Sequence, residues 1–448
     1  MKFIVIGITD NPEPFFPPEV MAIIKQGKVF SGGRRHHDIV APLLPKDAEW
    51  IDITVPLDAV FDNYQLSIIH YPLMPIIVFA SGDPLFFGFA NTLQREFPDA
   101  ELRVFPTFNS LQMLAHQLVM PYHDMRIVSL TGRPWPAFDR ALIERTPKIG
   151  ILTDREHTPA AIAQRMLDYG YCDYTMYVGE HFGNPALEKV TMLTLDEAAQ
   201  RDFAMPNCVI AVANCFQRLS SRLGQTSKLD GSRCSDNSSL FTLHSSLTFG
   251  IPDTNFALLD GREKMITKMP IRLLTLQALE LPTKHVFWDI GFCTGSVSIE
   301  ARLQFPHLEI HSFEIRPECE TIIHENARRH GAPGIHVHMG DFLNYQLSAR
   351  ALLACYRRDA RIINYQFPPD AVFIGGHGGR LKEIMAKVLT VLAPGGVIVM
   401  NSVKAPLVKT DSHQLWDEAC RELGLQQEPP LHIQLNDHHP ITILKLRY

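Results

Sequence analysis

The segment Phe287-Trp288-Asp289-Ile290-Gly291-Phe292-Cys293-Thr294-Gly295-Ser296 constrains the fold of this chain more than any other. It reads as a buried strand, a glycine-punctuated turn, and a helix beginning near Ser296. Glycine has no Cβ and tolerates positive φ, so such a turn lets a ligand approach the backbone closely. About one βαβ unit later comes Glu314, in His311-Ser312-Phe313-Glu314, at the end of a second strand. A carboxylate at a strand end suits the two hydroxyls of a ribose. Together they predict a doubly wound α/β domain that binds a nucleoside-containing cofactor.

Details of the turn narrow the cofactor. A dinucleotide fingerprint needs its second glycine so that a pyrophosphate can approach the backbone, and here Cys293 stands in that place. Asp289, just before the loop, would repel phosphates at short range. Both details favour a cofactor without phosphate, with Asp289 near the positively charged methionine end, and S-adenosylmethionine fits. They argue against a nicotinamide-dependent oxidoreductase. Gly291, Cys293 and Gly295 are then cofactor-site residues; the bland alternative is a tight turn in an unspecialised sheet. Asp341, in Gly340-Asp341-Phe342 after the third strand, either accepts from an adenine amino group or caps the next helix. The loop, Glu314 and Asp341 would lie at carboxyl ends of adjacent strands, where open α/β sheets bind ligands.

The next strand ends in Phe373-Ile374-Gly375-Gly376-His377-Gly378-Gly379-Arg380. So glycine-rich a stretch implies close approach or mobility. It predicts a loop bordering a large flat substrate, with Arg380 available for a carboxylate. His377 is a candidate proton acceptor, or merely solvated. Near the start of this domain Met265-Ile266-Thr267-Lys268 precedes a helix, and Thr267 either caps it or lies over the cofactor.

The chain has 448 residues, 46% hydrophobic and 20% charged, the profile of an ordinary globular protein of several domains. Its net charge of -6 supplies no global basic field for nucleic acid or anionic membranes, and no interleaved basic–aromatic patch is visible. No signal peptide or membrane span is expected. The 8 cysteines are scattered without a C-x-x-C pair, which predicts reduced thiols in a cytoplasm and no metal site. A serine- and glycine-rich stretch marks a linker over 216–248, separating domains 1–215 and 249–448.

In the N-terminal part, strands are predicted at Phe3–Ile6, Ile76–Ala80, Leu102–Phe105, Arg126–Leu130, Ile149–Thr153, Tyr174–Val178 and Cys208–Val212. Helices are predicted at Pro18–Gln26, Leu85–Phe97 and Pro159–Tyr169, giving two α/β lobes. Asp83 would cap the second of these helices and Pro84 would sit in its first turn. A glycine-bearing turn, Ser31-Gly32-Gly33-Arg34-Arg35-His36-His37, offers a carboxylate-binding patch or a solvated face. The C-terminal part reads as a βαβ series with strands Val286–Ile290, Glu309–Phe313, Ile335–Met339, Ala371–Ile374 and Val397–Asn401. An antiparallel pair, Leu431–Leu435 and Thr442–Leu446, closes the sheet edge.

Ser81-Gly82-Asp83-Pro84-Leu85-Phe86-Phe87-Gly88 resembles the signature loop of the tetrapyrrole methyltransferases of the cobalamin pathway. Pro106–Gln112, Ser129–Arg133 and Leu152–Pro159 are similar to further blocks of its precorrin-6Y branch. The C-terminal half resembles the partner methyltransferase of that branch in Ile266-Thr267-Lys268, Trp288–Gly291, Gly295–Ala301 and Pro369–Arg380. The resemblance covers nearly the whole chain except the linker. It implies an N-terminal tetrapyrrole-methyltransferase domain and a C-terminal Rossmann-like class I methyltransferase domain. It further implies two methyl transfers from S-adenosylmethionine to a corrin precursor, at carbons 5 and 15, with decarboxylation of the ring C acetate. Ser81, Gly82, Asp83 and Pro84 then join the cofactor-binding residues. Arg34, Arg35, Arg133 and Arg380 are candidates for the substrate carboxylates, which arginine binds bidentately. The resemblance is also compatible with a homo-oligomer. The chain departs from the family at Gly7-Ile8-Thr9-Asp10-Asn11-Pro12-Glu13-Pro14, where prolines and an acid replace a glycine-rich turn. That departure leaves open a second reading, in which the N-terminal half is a non-catalytic tetrapyrrole-binding module.

Overall fold

The computed structural model describes residues 1–214, 249–348, 362–364, 368–403, 411–435 and 440–448. The predicted linker over 216–248 and most of the polar turn after Leu435 lie outside these residues. The chain forms two compact units, one drawn mainly from residues 1–214 and the other mainly from residues 249–448.

The first unit holds two sheets. Strands β1 (Lys2–Ile8), β2 (Val29–Gly32), β3 (Glu49–Asp52), β4 (Ile76–Ser81) and β5 (Glu101–Phe105) form a parallel sheet in the order β3-β2-β4-β1-β5. Successive β1 side chains point to opposite faces and both faces are covered. Phe3 and Val5 pack with Val60, Tyr64 and Leu93, whereas Ile6 and Ile8 pack with Val20, Ile24 and Val40. That burial is why β1 and β4 read as unbroken apolar runs. Strands β6 (Arg126–Ser129), β7 (Lys148–Leu152), β8 (Tyr174–Glu180), β9 (Lys189–Thr194) and β10 (Asn207–Ala213) form the second sheet, in the order β6-β7-β10-β8-β9. Only its β6–β7 pair is parallel.

The second unit contains β11 (Val286–Ile290), β12 (Glu309–Glu314), β13 (Ile335–Met339), β14 (Gln346–Ser348), β15 (Ile362–Asn364), β16 (Ala371–Ile374), β17 (Val397–Val403), β18 (Leu431–Ile433) and β19 (Ile441–Arg447). Seven of them form one sheet, ordered β13-β12-β11-β16-β17-β19-β18, parallel as far as β17. β19 runs antiparallel beside β17 and pairs with β18 at the edge, as the late strand pattern predicts. The chain proceeds outward from β11 through β13 and then returns to β16 on the other side. The β11–β16 boundary is therefore a topological switch point, with a crevice beyond the strands' carboxyl ends. Trp288 and Ile290 face a core with Met385, Val388 and Trp416, and Phe287 faces one with Leu276, Val297 and Ala301. Each buried aliphatic or aromatic side chain of this kind stabilises the fold by about 1.5–3 kcal/mol.

Two local expectations need correction. The helix predicted at Leu85–Phe97 spans only Phe89–Glu96, with Gly88 as its N-cap residue. Residues 83–88 instead form a turn in which the Leu85 N–H donates to Asp83 Oδ1 at 2.9 Å and the Phe86 N–H to the Asp83 carbonyl at 3.0 Å. Asp83 caps its own turn, and Pro84 is not helical. The turn predicted at Ser31–His37 is the end of β2 followed by a helix over Arg34–Val40. Ser31 and Gly32 are buried strand residues because the Ser31 hydroxyl binds Tyr64 Oη and the Ile51 carbonyl.

Candidate active sites

In the second unit the loop after β11 and the loop after β16 touch backbone to backbone. Gly291 has φ +79°, and a Cβ there would lie 2.6 Å from the Gly376 nitrogen. The Gly375 N–H donates to the Ile290 carbonyl at 2.8 Å, closing the two loops over the switch point. Only glycine fits at 291, since both the φ and the contact exclude a side chain. The loop continues with Cys293 at φ +50° and Gly295 at φ +73° before the helix Ser296–Gln304 begins. A non-glycine residue in this region carries on the order of 1–2 kcal/mol of strain. Its N–H is anchored by Glu314 Oε2 at 3.0 Å.

Asp289 is completely buried on the face of β11 that meets this helix. Its Oδ2 accepts from the Ser298 hydroxyl at 2.5 Å, and Ser298 shares a 2.8 Å bond with Ser312. Its Oδ1 has no hydrogen-bond partner. Burial, with a smaller push from neighbouring Glu314, raises the carboxyl to about 7 against the opposing effect of the Ser298 bond. A buried carboxylate oxygen without a donor is costly unless a ligand supplies one.

Glu314 is in the opposite state. Its carboxylate accepts from the N–H groups of Cys293, Ile315 and Arg316 and from two nitrogens of the Arg316 guanidinium, at 2.6–3.1 Å. Burial opposes its ionisation, but this fork and the backbone bonds hold its pKa below the ordinary value. The sequence reading missed Arg316; its place two residues beyond Glu314 at a strand end was the available signal. Asp341 caps the short helix Phe342–Asn344 through the Leu343 N–H. Its Oδ2 also pairs with Arg380 Nη1 at 2.8 Å, so two residues assigned separate ligands meet in one ion pair. His377 accepts the Gly379 N–H on Nδ1 at 3.1 Å, which places its proton on Nε2, facing Ser412 Oγ at 3.4 Å. Burial lowers its pKa. A base role would therefore require giving up the Gly379 bond.

Thr267 does not cap its helix; Lys268 occupies the N-cap position of Met269–Ala278 without a side-chain cap bond. The Thr267 carbonyl instead accepts from Arg272 at 2.9 Å. Arg272, fully buried, also binds Glu300, Asp253 and the Ile251 carbonyl. That network fastens the segment before the helix to the helix that follows the Gly291–Gly295 loop.

In the first unit, the carboxyl ends of β1, β2 and β4 bring together the Ser81–Gly88 loop, Gly33–His36 and Asp10. A Cβ at Gly7 would lie 2.0 Å from the Gly82 carbonyl and 2.9 Å from the Thr107 nitrogen. Gly7, the one glycine the altered turn retains, is required by this approach. Arg35 Nη1 pairs with Asp10 at 2.6 Å, and Nη2 donates to Ser81 Oγ at 2.8 Å. Arg133, on the second lobe, places its guanidinium 5.3 Å from the ring centre of Phe87 in the same loop. Arg34 is exposed and has no ion pair among the described residues. Thus Arg35 and Arg133 meet the signature loop, whereas Arg34 does not share Arg35's contacts. Among the described residues, no group of three or more His, Cys, Asp or Glu could hold a metal, and no helix is long and apolar enough to cross a membrane.

The seven-stranded sheet, with an acid and a glycine turn at its switch point and no phosphate-accommodating second glycine, defines a Rossmann-like methyltransferase unit. Comparison with known proteins agrees. A family model described as a precorrin methyltransferase domain matches residues 260–415. The chain is 28% identical over 412 residues to a precorrin-6Y C(5,15)-methyltransferase [decarboxylating] of a Sinorhizobium species, covering 91% of this chain and 87% of that one. It is 32% identical over 178 residues to a cobalt-precorrin-6B C(15)-methyltransferase (decarboxylating) of Salmonella typhi, covering 39% of this chain and 83% of that one. A cobalt-precorrin-7 C(5)-methyltransferase of Salmonella typhimurium is 32% identical over 136 residues, or 30% of this chain and 65% of that one. The chain belongs to the precorrin methyltransferases of cobalamin biosynthesis.

Proposed function

We propose that the chain performs two S-adenosylmethionine-dependent C-methylations on a corrin precursor of the precorrin-6B or cobalt-precorrin type. The N-terminal domain, residues 1–215, methylates carbon 5. The C-terminal domain, residues 249–448, methylates carbon 15 and promotes loss of carbon dioxide from the ring C acetate. The observation that carries the reading is the unpartnered, fully buried Asp289 Oδ1 beside a loop whose glycines bring backbone to backbone. An ammonium is the donor such an oxygen lacks, and the methionine end of the cofactor has one.

When bound, S-adenosylmethionine supplies a methyl group already activated on sulfur. Asp289, Gly291, Cys293, Gly295 and Thr267 would hold it in the second unit, with Asp341 near the adenine. Glu314 would meet the ribose hydroxyls only once the half-exposed Arg316 fork leaves it. Ser81, Gly82, Asp83 and Pro84 would hold the cofactor in the first unit. The nucleophile is a ring carbon of the substrate, so no side chain needs to attack, and the protein's share of the rate comes from orientation. Arg34, Arg35, Arg133 and Arg380 are proposed to engage the substrate carboxylates. We further infer a cytoplasmic homo-oligomer without nucleic-acid or membrane partners; four of the five described cysteines are buried. Mass spectrometry after incubation with cofactor and corrin precursor tests the proposal. The expected product gains two methyl groups and loses carbon dioxide. A product with a single methyl would remove the N-terminal assignment.

A further inference from the structure

The altered turn after β1 contributes a residue that no motif had singled out. Asp10 is 9% exposed and uses both carboxylate oxygens. Oδ1 accepts from Arg35 Nη1 at 2.6 Å, and Oδ2 meets His181 Nδ1 at 2.7 Å. The Asp10 N–H also donates to the Phe182 carbonyl at 3.0 Å. Arg35 follows β2 in the first sheet, and His181 follows β8 in the second, so Asp10 ties together loops of two lobes of one unit.

Ser81 completes the arrangement. Its hydroxyl oxygen accepts from Arg35 Nη2 at 2.8 Å and lies 2.9 Å from His36 Nε2. The Gly33 N–H points at His36 Nδ1 at 3.3 Å and Arg35 Nη2 at His36 Nε2 at 3.4 Å, so Arg35, His36 and Ser81 form one hydrogen-bonded cluster. Burial, with the charge of Arg35, lowers the His36 pKa to about 4, so the ring is neutral near pH 7. The Ser81 oxygen accepts from Arg35 and shares a bond with His36, which holds the hydroxyl beside the guanidinium. Ser81 is exposed. Arg35 has five N–H donors, of which the bonds to Asp10, Ser81 and His36 use three, and its side chain is 36% exposed. A fixed, partly exposed guanidinium with unspent donors and a hydroxyl held beside it suit a carboxylate.

We propose that Asp10 is a positioning residue for methyl transfer in the first unit: it clamps Arg35 and His181 so that Arg35 and Ser81 together receive a ligand carboxylate. The inference rests on the methyl-transfer reading of that unit. The carboxylate has two possible sources, a side chain of the macrocycle or the methionine end of the cofactor. The acidic turn is therefore part of the site and replaces the flexible glycine turn with a fixed bracket.

The test uses the full chain, with the methylations at carbons 5 and 15 followed separately, so that carbon 15 reports whether the protein is folded. Asp10→Asn keeps the shape and one acceptor oxygen; Ser81→Ala removes only the hydroxyl. Each is expected to lower kcat/KM at carbon 5 by about 10- to 100-fold, the loss of one charge-assisted hydrogen bond. Carbon 15 should be methylated at the wild-type rate. A rise confined to the KM of the corrin identifies the macrocycle carboxylate, and one confined to the KM of the donor identifies the cofactor. Wild-type kcat and KM at carbon 5 in Ser81→Ala would overturn the proposal. So would equal losses at both carbons in Asp10→Asn, which mark a folding defect. If the wild-type chain itself fails to methylate carbon 5, the catalytic reading of the unit falls first. Binding of the corrin to wild-type chain and to Ser81→Ala, measured by absorbance titration, then still decides whether the bracket receives a carboxylate.

Discussion

Replacing Asp289 by asparagine tests the central electrostatic argument. Burial raises this carboxyl from 3.8 to about 7. Below pH 3.8 it is protonated in both the folded and the unfolded chain, and no penalty exists. Between pH 3.8 and 7 the unfolded chain ionises the group while the fold retains the proton. Stability therefore falls by about 1.4 kcal/mol per pH unit, to a total of about 4 kcal/mol above pH 7. Asparagine cannot ionise, so cofactor-free Asp289→Asn should melt higher than wild type at pH 8 and close to it at pH 4. For a unit of this size the difference corresponds to about 8–16 °C. Ligand binding should move the other way. An ammonium at Oδ1 favours the carboxylate, so binding at pH 7 should release about half a proton, visible by calorimetry in buffers of different ionisation enthalpy. Losing the charge should weaken S-adenosylhomocysteine binding to the second unit by about 2–5 kcal/mol, roughly 30-fold or more. The site in the first unit should bind as before. Unchanged stoichiometry and affinity, or parallel melting curves of variant and wild type across pH 4–8, would refute the reasoning.

Three further substitutions probe the geometry. Gly291→Ala places a methyl 2.6 Å from the Gly376 nitrogen at φ +79°, and should destabilise the second unit by about 2–3 kcal/mol in urea titrations while abolishing methylation at carbon 15. Glu314→Gln leaves Arg316 without its counter-charge and should cost about 2–3 kcal/mol at pH 7. Since the pKa of Glu314 lies below the ordinary value, that contribution is lost as pH falls through the depressed pKa, so the variant and wild type should converge in acid. Gly7→Ala sets a methyl 2.0 Å from the Gly82 carbonyl. It should remove methylation at carbon 5 while carbon 15 is still methylated, as read by product mass.

The sheets were legible wherever burial is two-sided. β1, β4 and β16 read as apolar runs, and β11 as one interrupted by Asp289, because both faces are covered, and a run of that kind is readable without knowing its partners. Strands β2 and β3 escaped because they are four residues each and carry Ser31, Glu49 and Asp52. The helix over Phe89–Glu96 was drawn too long because Asp83-Pro84 mimics a helix start, whereas the Asp83 side chain closes its own turn. At the sites, acid and glycine positions at strand ends were readable because close approach dictates residue type. Side-chain pairings were not. Arg380 with Asp341, Arg316 with Glu314, and Asp10 with Arg35 and His181 join residues 39, 2, 25 and 171 positions apart. For the three distant pairs local pattern carries no information about the partner, which depends on strand order, whereas Arg316 lay within reach of a local reading.

The two acids at the switch point show why a partner inventory says more than a motif. Both lie near the carboxyl ends of adjacent strands of the same sheet, both are buried, and the sequence assigned both to the cofactor. Glu314 accepts five bonds from its own chain and needs nothing more. Asp289 accepts one, holds its proton near neutral pH, and leaves an oxygen without a donor. Of the two, only Asp289 gains a bond from a ligand without giving one up. Recognition in the second unit should therefore begin at Asp289, with Arg316 yielding later. If Arg316→Ala strengthened S-adenosylhomocysteine binding while Asp289→Asn left it untouched, that order would be wrong.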